Sequence, residues 1–378
     1  MAIRVIDADS HIVEPSDLWE NYLEPEDRDR AMRVKLDGQG LEYLEIDGKP
    51  ANVIRGGVLC NVMGTGRKDL EDFLTPGAVP FEVARQSVPP AGDPHERVKW
   101  LDREGVDATL LYPSLGLDWP QDCKDAKLAL AYCRAYNNWL AEFCQPYPHR
   151  LLPIAHLSLL DLEGGVGELK RTARMGMKGA YPPTVPFNGI PYGERHYDPF
   201  WAEAQALDMP VSLHVTGYVN GFGGHLYPKA YDAPFWWYLV MDMGDVLSAF
   251  TSLFQGGLFE RFPEVKVVVV ETGSGWLPYW LERMDHLYDK LSFTTPLKLR
   301  PSQYFERQCW IVMDPDEKTA PATLGFVDHG RFMWGSDYPH TEGEAGALEE
   351  LKENIAPLPE NIQRKILGDN AVQLYNLD

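Results

Sequence analysis

Eight short apolar runs, separated by stretches that read as amphipathic helices, constrain the fold of this chain more than any other feature. The runs are Ile3 to Asp9, Ala108 to Tyr112, Leu151 to Leu157, Met177 to Tyr181, Val211 to His214, Val265 to Glu271, Cys309 to Met313 and Phe332 to Ser336. Between them lie helical segments such as Asp125 to Gln145, Gly164 to Met175, Pro199 to Leu207 and Asp245 to Phe262. Strands that alternate with helices return to the same end of the sheet each time and so pair in parallel. Eight such units predict an α/β fold, a (β/α)8 TIM barrel, and 378 residues suit that barrel as one domain, residues 1–378, with two insertions. The first insertion, at about 25–95, carries a β-hairpin, Leu41 to Ile46 turning through Asp47-Gly48, then a loop with Gly56, Gly57, Gly64 and Gly66. The second, 217–244, follows strand five and holds Tyr218, Phe222, Tyr227, Tyr231, Phe235, Trp236, Trp237 and Tyr238.

Composition removes whole classes of partner. A net charge of −21 repels a phosphate backbone and an anionic membrane surface, which excludes nucleic acid and membrane binding. A small anionic substrate stays open, because a local cation can outweigh the distant field. The five cysteines are odd in number and form no C-x-x-C pair, which argues against a disulfide framework or a cysteine zinc knuckle. The first residues run straight into an apolar strand without a signal-peptide pattern, and the longest aliphatic run, Val267 to Val270, is too short to cross a bilayer. We expect a cytoplasmic protein with a small-molecule substrate, assembled as a homo-oligomer, a dimer.

Chemistry concentrates at strand ends. In Asp7-Ala8-Asp9-Ser10-His11, alternation along a strand puts Asp9 and His11 on one face, at the end where barrel enzymes build their sites. Strand five ends in His214 and strand eight runs out at Asp337. Singly, each of these residues reads as a turn cap or a satisfied core group. Together they bring Asp, His, His and Asp to one rim, an oxygen and nitrogen set suited to one divalent metal ion, Zn²⁺ first and Mn²⁺ second, rather than Ca²⁺.

Four segments carry a resemblance to a known family. Ile6 to Pro15 (IDADSHIVEP), His214, Glu271 to Tyr279 (ETGSGWLPY) and Trp334 to Pro339 (WGSDYP) resemble the amidohydrolase superfamily, in its "amidohydrolase 2" branch of metal-dependent hydrolases and of aromatic-acid and aminocarboxymuconate semialdehyde decarboxylases. The resemblance implies metal ligands at Asp9, His11, His214 and Asp337, with Asp337 also carrying a proton. Two departures stand out. No lysine ends strand four, Lys178 being too early, which favours one metal over two. Where the decarboxylases read Ser-His-Gly-Gly-Gly, this chain has Glu271 and Thr272, so their strand-six histidine is absent. Glu271 could be a further ligand, a base acting on water, or a carboxylate paired with Arg283.

Further candidates follow from position alone. His156 ends strand three and could act at the same rim. His225, Phe222 and Trp237 in the aromatic insertion could cover it, and Arg55 and Arg67 flanking the Gly-rich loop could meet a substrate carboxylate. Glu14 and His340 follow ligand strands closely enough to orient them. Threonine donates no proton near neutral pH, whereas a carboxylate beside a cation accepts one from water. The sequence therefore leans to a hydrolase of a small aromatic or unsaturated acid-like molecule, working through metal-activated water, with non-oxidative decarboxylation as the alternative and an inactive ligand-binding barrel as a third reading.

Overall fold

The structure is a computed structural model that describes residues 4–51, 59–65, 67–216, 234–343 and 346–377, without the side chains of 60, 61 and 234–242. Eight parallel strands stand in chain order around a barrel: β1 (Ile6–Ile12), β2 (Ala108–Pro113), β3 (Leu151–His156), β4 (Gly179–Tyr181), β5 (Val211–His214), β6 (Val267–Val270), β7 (Cys309–Met313) and β8 (Phe332–Trp334). Just past β8, the Ser336 and Asp337 N–H groups both donate to the Asp9 carbonyl, at 2.9 and 3.0 Å, and so bring the last strand back to the first.

Both faces of these strands are buried, and the sequence is apolar on both for that reason. In β6, Val268 and Val270 fill the interior with Ile6, Ala8, Leu110, Ile154, Val312 and Met333. Val267 and Val269 point outward, into the larger layer under the helices. Full burial of such a side chain contributes roughly 1.5–3 kcal/mol, so four consecutive valines are a strong local determinant of this strand. Ala371, Leu374, Tyr375 and Leu377 from the C-terminal segment close the floor of the interior.

The connecting helices have clear stop signals. The helix Pro94–Glu104 opens on Asp93, whose carboxylate accepts from the His95 and Glu96 N–H groups, and closes on Gly105 at φ 74°. The helix Ala126–Cys144 opens on Asp125 in the same way. A helix predicted to start at Asp245 instead begins at Pro234, inside the proposed second insertion, and runs to Gln255. Its first residues, Pro234 to Val240, are apolar and aromatic and read in the sequence as part of the aromatic insertion. In the first insertion, Glu42–Ile46 pairs antiparallel with Arg33–Leu36 and with Lys49–Pro50, across a turn with positive φ at Asp47 and Gly48. Residues after it dock on the rim, where Thr65 N–H donates to the Pro339 carbonyl at 3.1 Å. Among the described residues, no helix is long and apolar enough to cross a membrane.

Candidate metal centre

β1 reaches the site through a break in its pleat. Asp7 pairs with Thr109 and Ser10 with Leu111, so Ala8 and Asp9 together face the single Leu110. This β-bulge reverses the phase of the strand. Ile6 and Ala8 belong to the interior, and after the bulge Asp9 and His11 take that side while Ser10 and Ile12 turn outward. Simple alternation correctly pairs Asp9 with His11 but misses that Asp7 leaves the set. Asp7 instead accepts from the Ser336 N–H and hydroxyl, at 3.0 and 2.7 Å.

Four strand ends then converge. His11 Nε2 lies 3.4 Å from Asp9 Oδ1, 3.3 Å from Asp337 Oδ1 and 3.2 Å from His214 Nε2. His214 Nε2 lies 3.4 Å from Asp9 Oδ1 and 3.2 Å from Glu271 Oε2. In the parallel register His214 sits beside Val270, which puts Glu271 one residue beyond that rung. Both Glu271 and Asp337 have positive φ, 55° and 52°, a region that non-glycine residues occupy at some cost and often at functional sites. Gly335 allows the close approach of β8 to β1, because a Cβ there would meet Asp9 Cβ at 2.3 Å.

Imidazole tautomers decide what this cluster can hold. His11 Nδ1 lies 2.8 Å from the Pro113 carbonyl, and His214 Nδ1 lies 2.9 Å from the Val215 carbonyl. A carbonyl only accepts, so each Nδ1 carries hydrogen and each neutral ring aims a lone pair from Nε2. Two lone pairs 3.2 Å apart repel unless a proton or a metal ion lies between them. That spacing matches the edge of a coordination shell with bonds of about 2.0–2.2 Å. Asp9 Oδ1 is buried and accepts no hydrogen bond among the described residues. The donor atoms of Asp9, His11, His214 and Glu271 all lie within 4.8 Å of one another. The residues fit a divalent cation.

The field in the pocket points the same way. Burial works against charge on His11, yet Asp337 and Asp9 push its pKa up to about 10. Burial also works to raise Asp9, but His214 and His11 outweigh it and hold the carboxyl below the usual range. Asp337 is held low against burial by His340 and His11. Clustered carboxylates therefore create a demand for positive charge that protons meet in part and that a divalent ion satisfies fully.

Around the cluster runs a supporting chain. His340 Nδ1 lies 2.9 Å from Asp337 Oδ1, its Nε2 lies 2.9 Å from Ser114 Oγ, and its ring stacks on His11 at 3.8 Å. Glu14 receives the N–H groups of Ser114, Leu115 and Gly116 at 3.2, 2.9 and 3.0 Å and so fixes the loop carrying Ser114. Ser114 was missed in the sequence, although it directly follows an apolar run as the ligands do.

The remaining candidates lie elsewhere. His156 is fully buried one aromatic layer behind the cluster, stacked at 5.4 Å on Tyr181, whose ring is 5.8 Å from that of His214. Burial pushes its pKa down to about 3, so the ring is neutral. Arg67 pairs with Asp69 at 2.7 Å and lies over the Phe73 ring, within its own loop. Arg55, Phe222 and His225 lie outside the described residues, as does the side chain of Trp237.

Barrel and centre together form a site that fits a divalent ion, and comparison with known proteins gives the chain's kinship. The amidohydrolase family model matches residues 6–377, and the chain belongs to that family. It is 28% identical over 296 residues to the gamma-resorcylate decarboxylase of Rhizobium radiobacter, covering 75% of this chain and 86% of that protein. Among solved structures, an amidohydrolase from Mycobacterium avium subsp. paratuberculosis superposes with a TM-score of 0.83 at 22% identity, over 99% of this chain and all of that one. A dihydroxybenzoic acid decarboxylase from a Polaromonas species, with bound manganese and the inhibitor 2-nitroresorcinol, gives 0.68 at 20% identity, over 100% of this chain and 98% of that one. The chain is thus an enzyme of a family that includes carboxy-lyases.

Proposed function

We propose that the protein is a metal-dependent, non-oxidative decarboxylase of a hydroxylated aromatic or unsaturated carboxylic acid. The observation that carries the choice over hydrolysis is the extended match to gamma-resorcylate decarboxylase, which spans most of both chains. The lean toward hydrolysis rested on Thr272 standing in for one histidine, and a single absent group weighs less than that match.

Asp9, His11, His214 and Glu271, whose donor atoms lie within 4.8 Å of one another, would hold the ion together with Asp337 beside His11. When bound, it would anchor the substrate's carboxylate and neighbouring oxygen and lower the cost of gathering negative charge there. Manganese is favoured by the carboxylate-rich donor set and by the manganese in the Polaromonas relative, with zinc the other choice. Asp337 would carry the proton to the ring carbon, its ionised carboxyl first taking that proton from solvent. The C–C bond electrons stay with the ring, the carboxylate carbon leaves as CO₂, and the ring carbon ends with the proton. His340 holds the Asp337 carboxyl by one oxygen, and Ser114 holds His340 in turn.

Hydrolysis with Glu271 as base is the second reading, favoured by its 3.2 Å approach to His214. A single experiment separates the two. Wild-type enzyme offered 2,6-dihydroxybenzoate and related hydroxybenzoates in D₂O should release CO₂ and place one deuterium on the ring. Glu271→Gln, compared at equal metal occupancy, should then keep CO₂ release within about tenfold of wild type. Incorporation of ¹⁸O from labelled water into an acid product would instead establish hydrolysis. The Glu271→Gln variant should then lose about 10²–10⁴ in kcat, the usual contribution of a general base.

A further inference from the structure

The most unusual charge outside the metal cluster is Arg97, on the helix Pro94–Glu104. Its side chain is fully buried, and among the described residues no carboxylate forms an ion pair with it. Its donors go instead to uncharged oxygens. Nε donates to the Pro90 carbonyl at 2.7 Å, Nη1 to Ser10 Oγ at 2.8 Å and Nη2 to the carbonyl of His11. The guanidinium lies 4.8 Å from the centre of the Tyr338 ring, a contact that attracts a cation but neutralises nothing. Burial pushes its pKa down to about 10, in line with the several kcal/mol that an unpaired buried ion costs. A methionine of similar length would fill the space without that cost.

What the arginine holds explains its presence. Ser10 and His11 lie just beyond the bulge, at the point where β1 turns its ligands inward. Ser10 Oγ donates onward to the Tyr338 carbonyl at 2.9 Å, and the His11 N–H donates to the same oxygen at 2.7 Å. Tyr338 directly follows Asp337. One side chain therefore grips the strand that carries Asp9 and His11 and, through Ser10, the loop that carries Asp337. We propose that Arg97 is a positioning residue that locks the Asp9–His11 strand in register with the Asp337 loop and so sets the spacing of the metal-binding side chains.

This inference rests on the metal-centre reading, and electrostatics alone predicts the opposite sign. A buried cation close behind His11 repels a divalent ion, so its removal on charge grounds should tighten metal binding. If Arg97 sets the spacing, its removal should weaken binding by roughly ten- to a hundredfold, as for other groups that orient metal ligands. The test is Mn²⁺ titration of the full chain, with free Mn²⁺ read by electron paramagnetic resonance, for wild type, Arg97→Met and Ser10→Ala. Ser10→Ala removes the side-chain bridge from Arg97 to the Tyr338 carbonyl without touching a charge, leaves the His11 N–H bond to that oxygen, and should weaken binding in the same direction by a smaller factor. Melting of the metal-free proteins, read in parallel, reports a merely structural role, which lowers Tm and leaves the Kd unmoved. An unchanged or tighter Kd in Arg97→Met overturns the proposal. If that variant fails to fold, an unchanged Kd in Ser10→Ala does so. Wild type that binds no Mn²⁺ would overturn the metal-centre reading itself.

Discussion

His214→Ala should strip the protein of its divalent cation and, with it, of turnover. Metal-site binding free energies of about 10–16 kcal/mol shared over four ligands leave roughly 2.5–4 kcal/mol for each, or about a 10²–10³-fold loss of affinity. The real loss should lie at the upper end, because His214 Nε2 stands within 3.4 Å of Asp9, His11 and Glu271 donor atoms alike. Elemental analysis should find about one equivalent of manganese or zinc in wild type and almost none in the variant. Wild type should also melt lower once a chelator is added, since an ion held at a hundred times its Kd stabilises by about 2.7 kcal/mol. A variant with full metal content and full activity would remove His214 from the centre.

Gly335→Ala should be nearly as damaging although it adds a single methyl group. The new Cβ would fall 2.3 Å from Asp9 Cβ and 3.0 Å from Asp9 Cα, and neither atom belongs to a flexible chain end. Relief requires β8 and β1 to part, at a cost of about 1–3 kcal/mol for an overpacked core position, and parting carries Asp9 away from His214. Calorimetry and metal analysis should both fall. Gly38→Ala, with nothing within 4 Å of its added carbon, is the matched control and should change neither. Normal metal occupancy in Gly335→Ala would show that the two strands can separate without disturbing the ligands.

The sequence made the barrel legible because each strand is buried on both faces and so leaves an unbroken apolar run; Val211–His214 and Cys309–Met313 have the bounds expected. His214 and Asp337 were visible as polar residues where such runs stop. The phase of β1 was not visible, since a bulge leaves no mark on the order of residues and shows only in the pairing of Ala8 and Asp9 against Leu110. Arg97 was hidden for another reason. An arginine among Glu96, Lys99 and Asp102 on a helix reads as solvent-facing, and nothing local reveals that it is buried. Glu14 and His340 were visible from their places just after the ligand strands, but Ser114, which joins them from 100 and 226 positions away, was not, because spacing does not encode such contacts.

The bulge in β1 divides that strand into two tenants with separate obligations. Before it, the inward positions are held by Ile6 and Ala8, which serve the tightness of the barrel floor; after it, they are held by Asp9 and His11, which serve the polar cluster proposed to hold the ion. Drift in one half need not be matched in the other, so the floor can be repacked while the ligands stay aimed. Regular pairing of the same residues, without the bulge, would merge the two halves into one rhythm and turn Asp9 and His11 away from the side that Ile6 and Ala8 share. The chain would then have to choose between sealing its core and keeping its chemistry.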